Sequence, residues 1–256
     1  MQEEEFRPPF LCGFGGDNPT ELFEDCLRTG TMVKGPNAEE DKVKMLHTSE
    51  IRWFIAGILS EETLRWFSGG HRPKTAAVQV HEYLLFPGCD TLGVKFREDR
   101  FEVKAKVGVS QPLSLTMGIR GQRQQWIKWT LPTKGLSMFA QALHQSGPWV
   151  KVHKVRNRRV FSAETGNLRE VFTDSSPARG CNVELTSIEV EADPPSWFTL
   201  AFEAYGPPEV TAEILEEGVG FFFKAQGRTS GISLTKSNSL SYPTWLMNLP
   251  MTGNAR

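Results

Sequence analysis

The sequence predicts an α+β fold: an eight-stranded antiparallel β-barrel (a tunnel) with helices packed on its outside. Three observations carry this. About eight segments between residues 50 and 205 alternate apolar and polar residues with the period of two that belongs to strands. Residues 93–106, GVKFREDRFEVKAK, read as a hairpin that places Lys95, Arg97, Lys104 and Lys106 on one face and Val94, Phe96, Phe101 and Val103 on the other. About three amphipathic helical stretches need an apolar sheet face to rest on. Eight alternating strands suit a barrel or a strongly curved sheet.

Residues 1–44 show no sustained period and contain CGFGGDNP, a loop composition. GFGG does not complete a GxGxxG phosphate loop, so this part reads as an N-terminal extension, with one short helix in PTELFEDCLR. The periodic domain is expected over residues 45–230. In EIRWFIAG, Ile51, Trp53 and Ile55 share a face opposite Glu50, Arg52 and Phe54. Ser60 can cap SEETLRWF, with Leu64 and Phe67 on its buried side and Gly69 and Gly70 at its end. In AAVQVHEYLLF, Val78 and Val80 oppose Gln79, His81 and Tyr83. After the hairpin, QQWIKWTL alternates, and LSMFAQALHQ has helical spacing at Leu136, Phe139, Ala140 and Leu143. Three more strands follow: PWVKVHKVRNRRVF, with Val152, Lys154 and Arg156 on one side; CNVELTSIEVEA; and WFTLAFEAYG. PPEVTAEILEEG reads as a helix starting after its prolines. Residues 231–256 form a polar, turn-rich tail in which Trp245 and Leu246 are candidate docking points.

Charge and composition narrow the function classes. The chain has 256 residues and a net charge of −1, so it carries no molecule-wide field for nucleic acid, and none is indicated as a partner. Its four cysteines form no CxxC pair, which argues against zinc. No run approaches the roughly 18 apolar residues of a membrane span, and the acidic start MQEEEF has no apolar signal stretch. A reduced, cytoplasmic protein is the simplest expectation. Oligomeric state is left open.

The functional question is which strand face points inward. The polar faces carry Arg52, Lys95, Arg97, Lys104, Lys106, Lys128, Lys154 and Arg156, against the acids Glu50, Glu102, Glu184 and Glu203. Converging from several walls, these cations would hold a polyanion, the arginines by bidentate contacts and the lysines as point charges. A solvated outer face of a one-sided sheet would carry the same pattern. His81 and His153 are candidate bases, with a structural role as the plain alternative for each.

Four stretches carry a resemblance: EIRWFIAG, YLLFPGCDTLGVKFREDRFEVKAK, VHKVRNRRVF, and CNVELTSIEV followed by FEAYG. In their order and spacing over residues 50 to about 206 the chain resembles the CYTH superfamily, the triphosphate tunnel proteins. That family includes class IV adenylate cyclases, thiamine triphosphatases and inorganic triphosphatases. The resemblance implies a tunnel whose cations bind a triphosphate or another small phosphorylated molecule. It also implies Mg or Mn held by carboxylates, which here would be Glu50, Glu184 and Glu203. Departures follow the same register. Of the family's ExExK, Glu50 keeps the first position, Arg52 replaces the second glutamate and Phe54 replaces the lysine. A guanidinium in place of a carboxylate opposes a hard, oxygen-seeking cation. The expectation is therefore a phosphate-binding tunnel with lost or weakened catalysis. Two alternatives stay open: a Mg/Mn-dependent triphosphatase, and a barrel that carries an apolar ligand with its aromatic face turned inward.

Overall fold

The computed structural model describes residues 43–69, 77–97, 100–114, 118–133, 142–143, 145, 147–171, 174–175, 177–191, 193–228 and 232–249. The expectations for residues 1–42 and for most of the helical stretch 136–143 lie outside these residues. Nine strands and three α-helices are described in the order β1 (Lys44–Ala56), α1 (Glu61–Phe67), β2 (Val78–Leu84), β3 (Leu92–Arg97), β4 (Arg100–Ser114), β5 (Arg120–Pro132), β6 (Trp149–Ser162), β7 (Arg169–Val171), β8 (Gly180–Val190), β9 (Asp193–Tyr205), α2 (Thr211–Gln226) and α3 (Tyr242–Met247).

The sheet runs β2-β3-β4-β5-β1-β9-β8-β6, and an antiparallel pairing of β2 with β6 closes it into an eight-stranded barrel. Closure leaves those eight strands without a free edge except where β1 and β5 part after Glu50. The short β7 pairs only with the far end of β6, outside the ring. Every pairing is antiparallel, so one alternation sets inside and outside all the way round.

That alternation puts the apolar set outside. Ile51 and Trp53 of β1, Val183 and Leu185 of β8, and Leu200 and Phe202 of β9 are buried in one cluster with Ile214, Leu215, Val219, Phe222 and Phe223 of α2. The helix thus roofs the outer wall, as amphipathic packing requires. It runs past Gly218, where the sequence pattern ended it, through Gln226. Gly218 is a contact residue there: a Cβ would meet the Sγ of Cys181 at 2.7 Å. Helix α1 is capped as expected, the Thr63 amide donating to Ser60 Oγ at 3.1 Å. β1 begins six residues before Glu50, because Lys44 to Glu50 pair with β5.

Beyond Glu50, β1 leaves β5, and the chain after residue 231 fills the gap. Trp53 bridges to Ser239, the Leu240 amide donates to Arg52 O at 3.1 Å, and the Gln122 amide donates to Ser239 Oγ at 2.9 Å. Ile232 and Leu234 join the outer core. The predicted docking points Trp245 and Leu246 are both buried. They meet Phe54, Tyr83, Val150, Val152, Ile188 and Val190, which lie on the inward faces of their strands, and so form an apolar floor across one part of the barrel interior. Trp245 stacks on Phe54 with ring centroids 4.5 Å apart. Among the described residues no helix is long and apolar enough to cross a membrane.

Truncating Trp245 removes the centre of this floor. Trp245→Ala is expected to cost about 3–5 kcal/mol, the usual range for a buried Trp. Urea unfolding checks it; a loss below about 1 kcal/mol would show that the floor is not an integral part of the fold.

Candidate functional site

Above the floor the barrel encloses a cavity of about 320 Å³, a size within the range of small-molecule sites. Among the described residues nine cationic side chains line it: Arg52, Lys95, Arg97, Arg100, Lys104, Lys128, Lys154, Arg156 and Arg158. Four carboxylates face them: Glu50, Glu102, Glu184 and Glu203. Seven of the eight ring strands contribute charges, because the inward positions of β1 (Glu50, Arg52), β3 (Lys95, Arg97), β4 (Glu102, Lys104), β5 (Lys128), β6 (Lys154, Arg156), β8 (Glu184) and β9 (Glu203) recur with a period of two; β2 contributes Gln79, His81 and Tyr83.

Of the eight expected cations, the structure brings seven together. Lys106 is the exception: its Nζ contacts Asp90 Oδ2 at 2.7 Å, and it is not among the lining residues. Arg100, Arg158 and Tyr242 line the cavity without having been singled out. Arg100 and Arg158 were legible, since each stands two residues from a chosen position on the same strand. Tyr242 was not, because nothing in the alternation of the strands says where a short C-terminal helix turns in.

Most of the charges are already neutralised in pairs. Glu102 takes Lys95 at 2.8 Å and Arg97 at 3.6 Å. Glu184 takes Arg156 at 3.0 Å and Arg52 at 3.9 Å. Glu203 takes Lys128 at 3.3 Å, and Glu50 takes Lys104. Burial pushes the Glu102 carboxyl up, but Lys95, Lys128 and Arg97 outweigh it and hold the group down at about 2. Glu203 is lowered in the same way, burial opposing and Lys128 and Lys104 prevailing.

Lys154 differs. It is 5% exposed, and among the described residues no carboxylate lies within ion-pair distance. Its Nζ donates to Tyr83 Oη at 2.6 Å and stands 3.7 Å from the Tyr242 ring centroid. Burial, then Lys95 and Arg52, push this ammonium well below the ordinary lysine range. His81 is 3% exposed and lines the cavity, and neither ring nitrogen has a hydrogen-bond partner. Burial and then Lys154, Lys95 and Arg97 lower it far below the usual imidazole range, so it is neutral. His153, the other candidate base, is not among the lining residues.

The three carboxylates named for Mg or Mn do face the cavity, but each is engaged by a cation. In the sheet register Glu50 lies opposite Glu203, while Arg52 and Glu184 both lie opposite Ala201. The Arg52 guanidinium therefore stands among all three, and after the opposing effect of burial and the contribution of Tyr242, it is Glu184, Glu50 and Glu203 that raise its pKa. Among the described residues, no group of three or more His, Cys, Asp or Glu side chains is placed to hold a metal ion. This donor set does not fit a divalent ion without displacing Arg52.

No protein-family model matches the chain, and no curated protein matches it. Among solved structures it is similar to a conserved hypothetical protein from Pyrococcus furiosus, at 12% identity and a TM-score of 0.35 over 77% of this chain and 98% of that one. A protein from Pyrococcus horikoshii is similar at 14% identity and a TM-score of 0.33, over 74% of this chain and 93% of that one. Superpositions this loose carry no argument about the cavity.

Two expected outcomes follow from the charge geometry. Glu102→Gln leaves Lys95 and Arg97 without their counter-charge; partial solvation of both limits the loss to about 2 kcal/mol, read from the urea midpoint. For the wild type, the folded state binds fewer protons than the unfolded state at several groups, His81 and Glu102 among them. His81 stays neutral in the fold, so stability declines as pH falls below about 6.5. Glu102 stays ionised, so a further decline sets in below about 4.5 and is complete near 2. Urea titrations at stepped pH should show both, and His81→Gln should remove only the upper one.

Proposed function

We propose that the chain is a CYTH-like protein that binds a triphosphate or another small phosphorylated ligand in its cationic cavity, with catalysis lost or weakened. The observation that carries the reading is Lys154: a buried ammonium facing the cavity with, among the described residues, no carboxylate to pair with. An unpaired buried charge is costly, and an anion placed against it relieves that cost. Around it the lining has five more cations than carboxylates, nine against four. The net charge of the chain is −1, so the positive potential is local and enclosed, which favours a small ligand over nucleic acid.

The absence of turnover rests on the acids. Phosphoryl transfer commonly relies on a divalent ion and a positioned base. Here Glu50, Glu184 and Glu203 are each bound to a cation, and Arg52 stands among them. The tethered guanidinium supplies in this cavity the positive charge that a metal ion would otherwise bring. The apolar-carrier alternative needs the aromatic faces inward, whereas Trp53 and Phe202 pack beneath α2 on the outer wall.

Thermal unfolding with inorganic tripolyphosphate tests the proposal. At 100 times its dissociation constant a ligand adds about 2.7 kcal/mol, which for a domain of this size raises the midpoint by about 5–10 °C. The same rise is expected with and without Mg²⁺, Lys154→Gln should lose most of it, and no phosphate should be released. No shift in either condition would overturn the binding reading; release of phosphate only with Mg²⁺ would replace it with the metal-dependent triphosphatase.

A further inference from the structure

Among the described residues, neither ring nitrogen of His81 has a hydrogen-bond partner, and the fold explains why it is left so. On β2 it lies opposite Arg97 of β3 and Val152 of β6. The neighbouring inward positions are Lys95 on β3 and Lys154 and Arg156 on β6. Along its own strand comes Tyr83, whose ring lies 6.3 Å away and whose hydroxyl is occupied by Lys154. The adjacent carboxylates are spent: Glu102 of β4 on Lys95 and Arg97, and Glu184 of β8 on Arg156 and Arg52. The imidazole thus faces cations from both flanking strands and an acid from neither. In the free protein a proton on it would add one more buried positive charge beside four others. Several negative charges brought to the same wall reverse the sign of that interaction.

We propose that His81 is the proton-accepting contact of the anion site: it takes a proton from solvent as a phosphorylated ligand enters and meets the phosphoryl oxygens as an imidazolium N–H donor. No covalent bond is made or broken; one proton moves from buffer to imidazole, and it is released when the ligand leaves. The inference rests on the binding function proposed above and deepens it. Binding is thereby linked to pH: affinity for a polyanion rises as the solution is acidified, although the free protein itself loses stability in the same direction. The two opposite slopes have one origin, the neutral imidazole among cations. A fully ionised acid that accepts no proton contact would gain less from this residue than a phosphate does, because the imidazolium can share its proton with a basic phosphate oxygen.

Isothermal titration calorimetry of the full chain with inorganic tripolyphosphate, in two buffers of different ionisation enthalpy near pH 7, measures the protons taken up on binding. The wild type is expected to take up about one proton more per ligand than His81→Asn or His81→Gln. Any uptake by Lys154 is common to all three and cancels in the difference. A second measurement needs no variant: nitrogen NMR of the wild-type imidazoles should show one ring, neutral in the free protein, with both nitrogens protonated after saturation. Binding with equal proton uptake in wild type and variants, or a His81 ring that stays neutral at saturation, overturns the role of His81 and leaves the anion site standing. Failure of tripolyphosphate to bind the wild type at all overturns both.

Discussion

Buried charges are costly without counter-charge, and that constraint organises most of the barrel interior. Charges enclosed by eight strands lose most of their hydration, and the loss is recovered only where opposite charges meet at short range. The four inward carboxylates are spread accordingly: Glu50 on β1, Glu102 on β4, Glu184 on β8 and Glu203 on β9. Each pairs with a cation on a different strand, so pairing runs across the ladder rather than along it. The consequence is a cavity wall in which most cations are fixed in position before any ligand arrives. Preorganised charge of this kind spends little free energy on reorientation when an anion binds.

The outer wall answers to a different constraint. Alternation that turns charges inward turns Trp53, Phe202 and their neighbours outward, and something must cover them. Helix α2 covers β1, β8 and β9, but β1 also separates from β5 after Glu50. The segment that follows α2 closes this opening with backbone hydrogen bonds to both strands, then turns so that Tyr242 reaches the cavity and Trp245 the floor. The same stretch thereby completes the outer shell and sets the depth of the inner space. Gly121 permits the close approach on the β5 side, where a Cβ would collide with Ile51 and Trp53.

Much of this was legible from the chain, for a definite reason. A strand buried on one face and charged on the other declares both faces, so Arg52, Lys95, Arg97, Lys104, Lys128, Lys154 and Arg156 could be grouped from alternation alone. Direction was the harder matter, since a solvated sheet shows the same period; it is closure through β2 and β6 that makes the charged face the inner one. Lys106 obeys the period and still leaves the group, because Asp90 in the turn before β3 claims it. No periodic signal announces a partner in a turn. Helix α2 was cut short at Gly218 because glycine usually weakens a helix, whereas here it admits the thiol of Cys181. Tyr242 stayed hidden for want of any repeating pattern in the C-terminal tail, where only Trp245 and Leu246 stood out as docking points.

Pairing is distributed unevenly within the cavity. On the wall formed by β4, β5, β1 and β9, Lys104, Lys128 and Arg52 all have carboxylates, and that wall is electrostatically closed. On the wall formed by β2, β6 and β8, Lys154 has a phenol and two aromatic rings, His81 has no polar contact, and the Thr186 hydroxyl has no hydrogen-bond partner. Buried polar groups are nearly always satisfied in folded proteins, so a cluster that is not satisfied by protein is a cluster waiting on something else. A ligand that brought only apolar surface would leave these groups as they are. An anion would charge-compensate Lys154, supply an acceptor for Thr186 and give the imidazole its reason to hold a proton. Under the proposed function, the chemistry of this wall, more than the number of cations, would favour a phosphorylated molecule over a merely negative one.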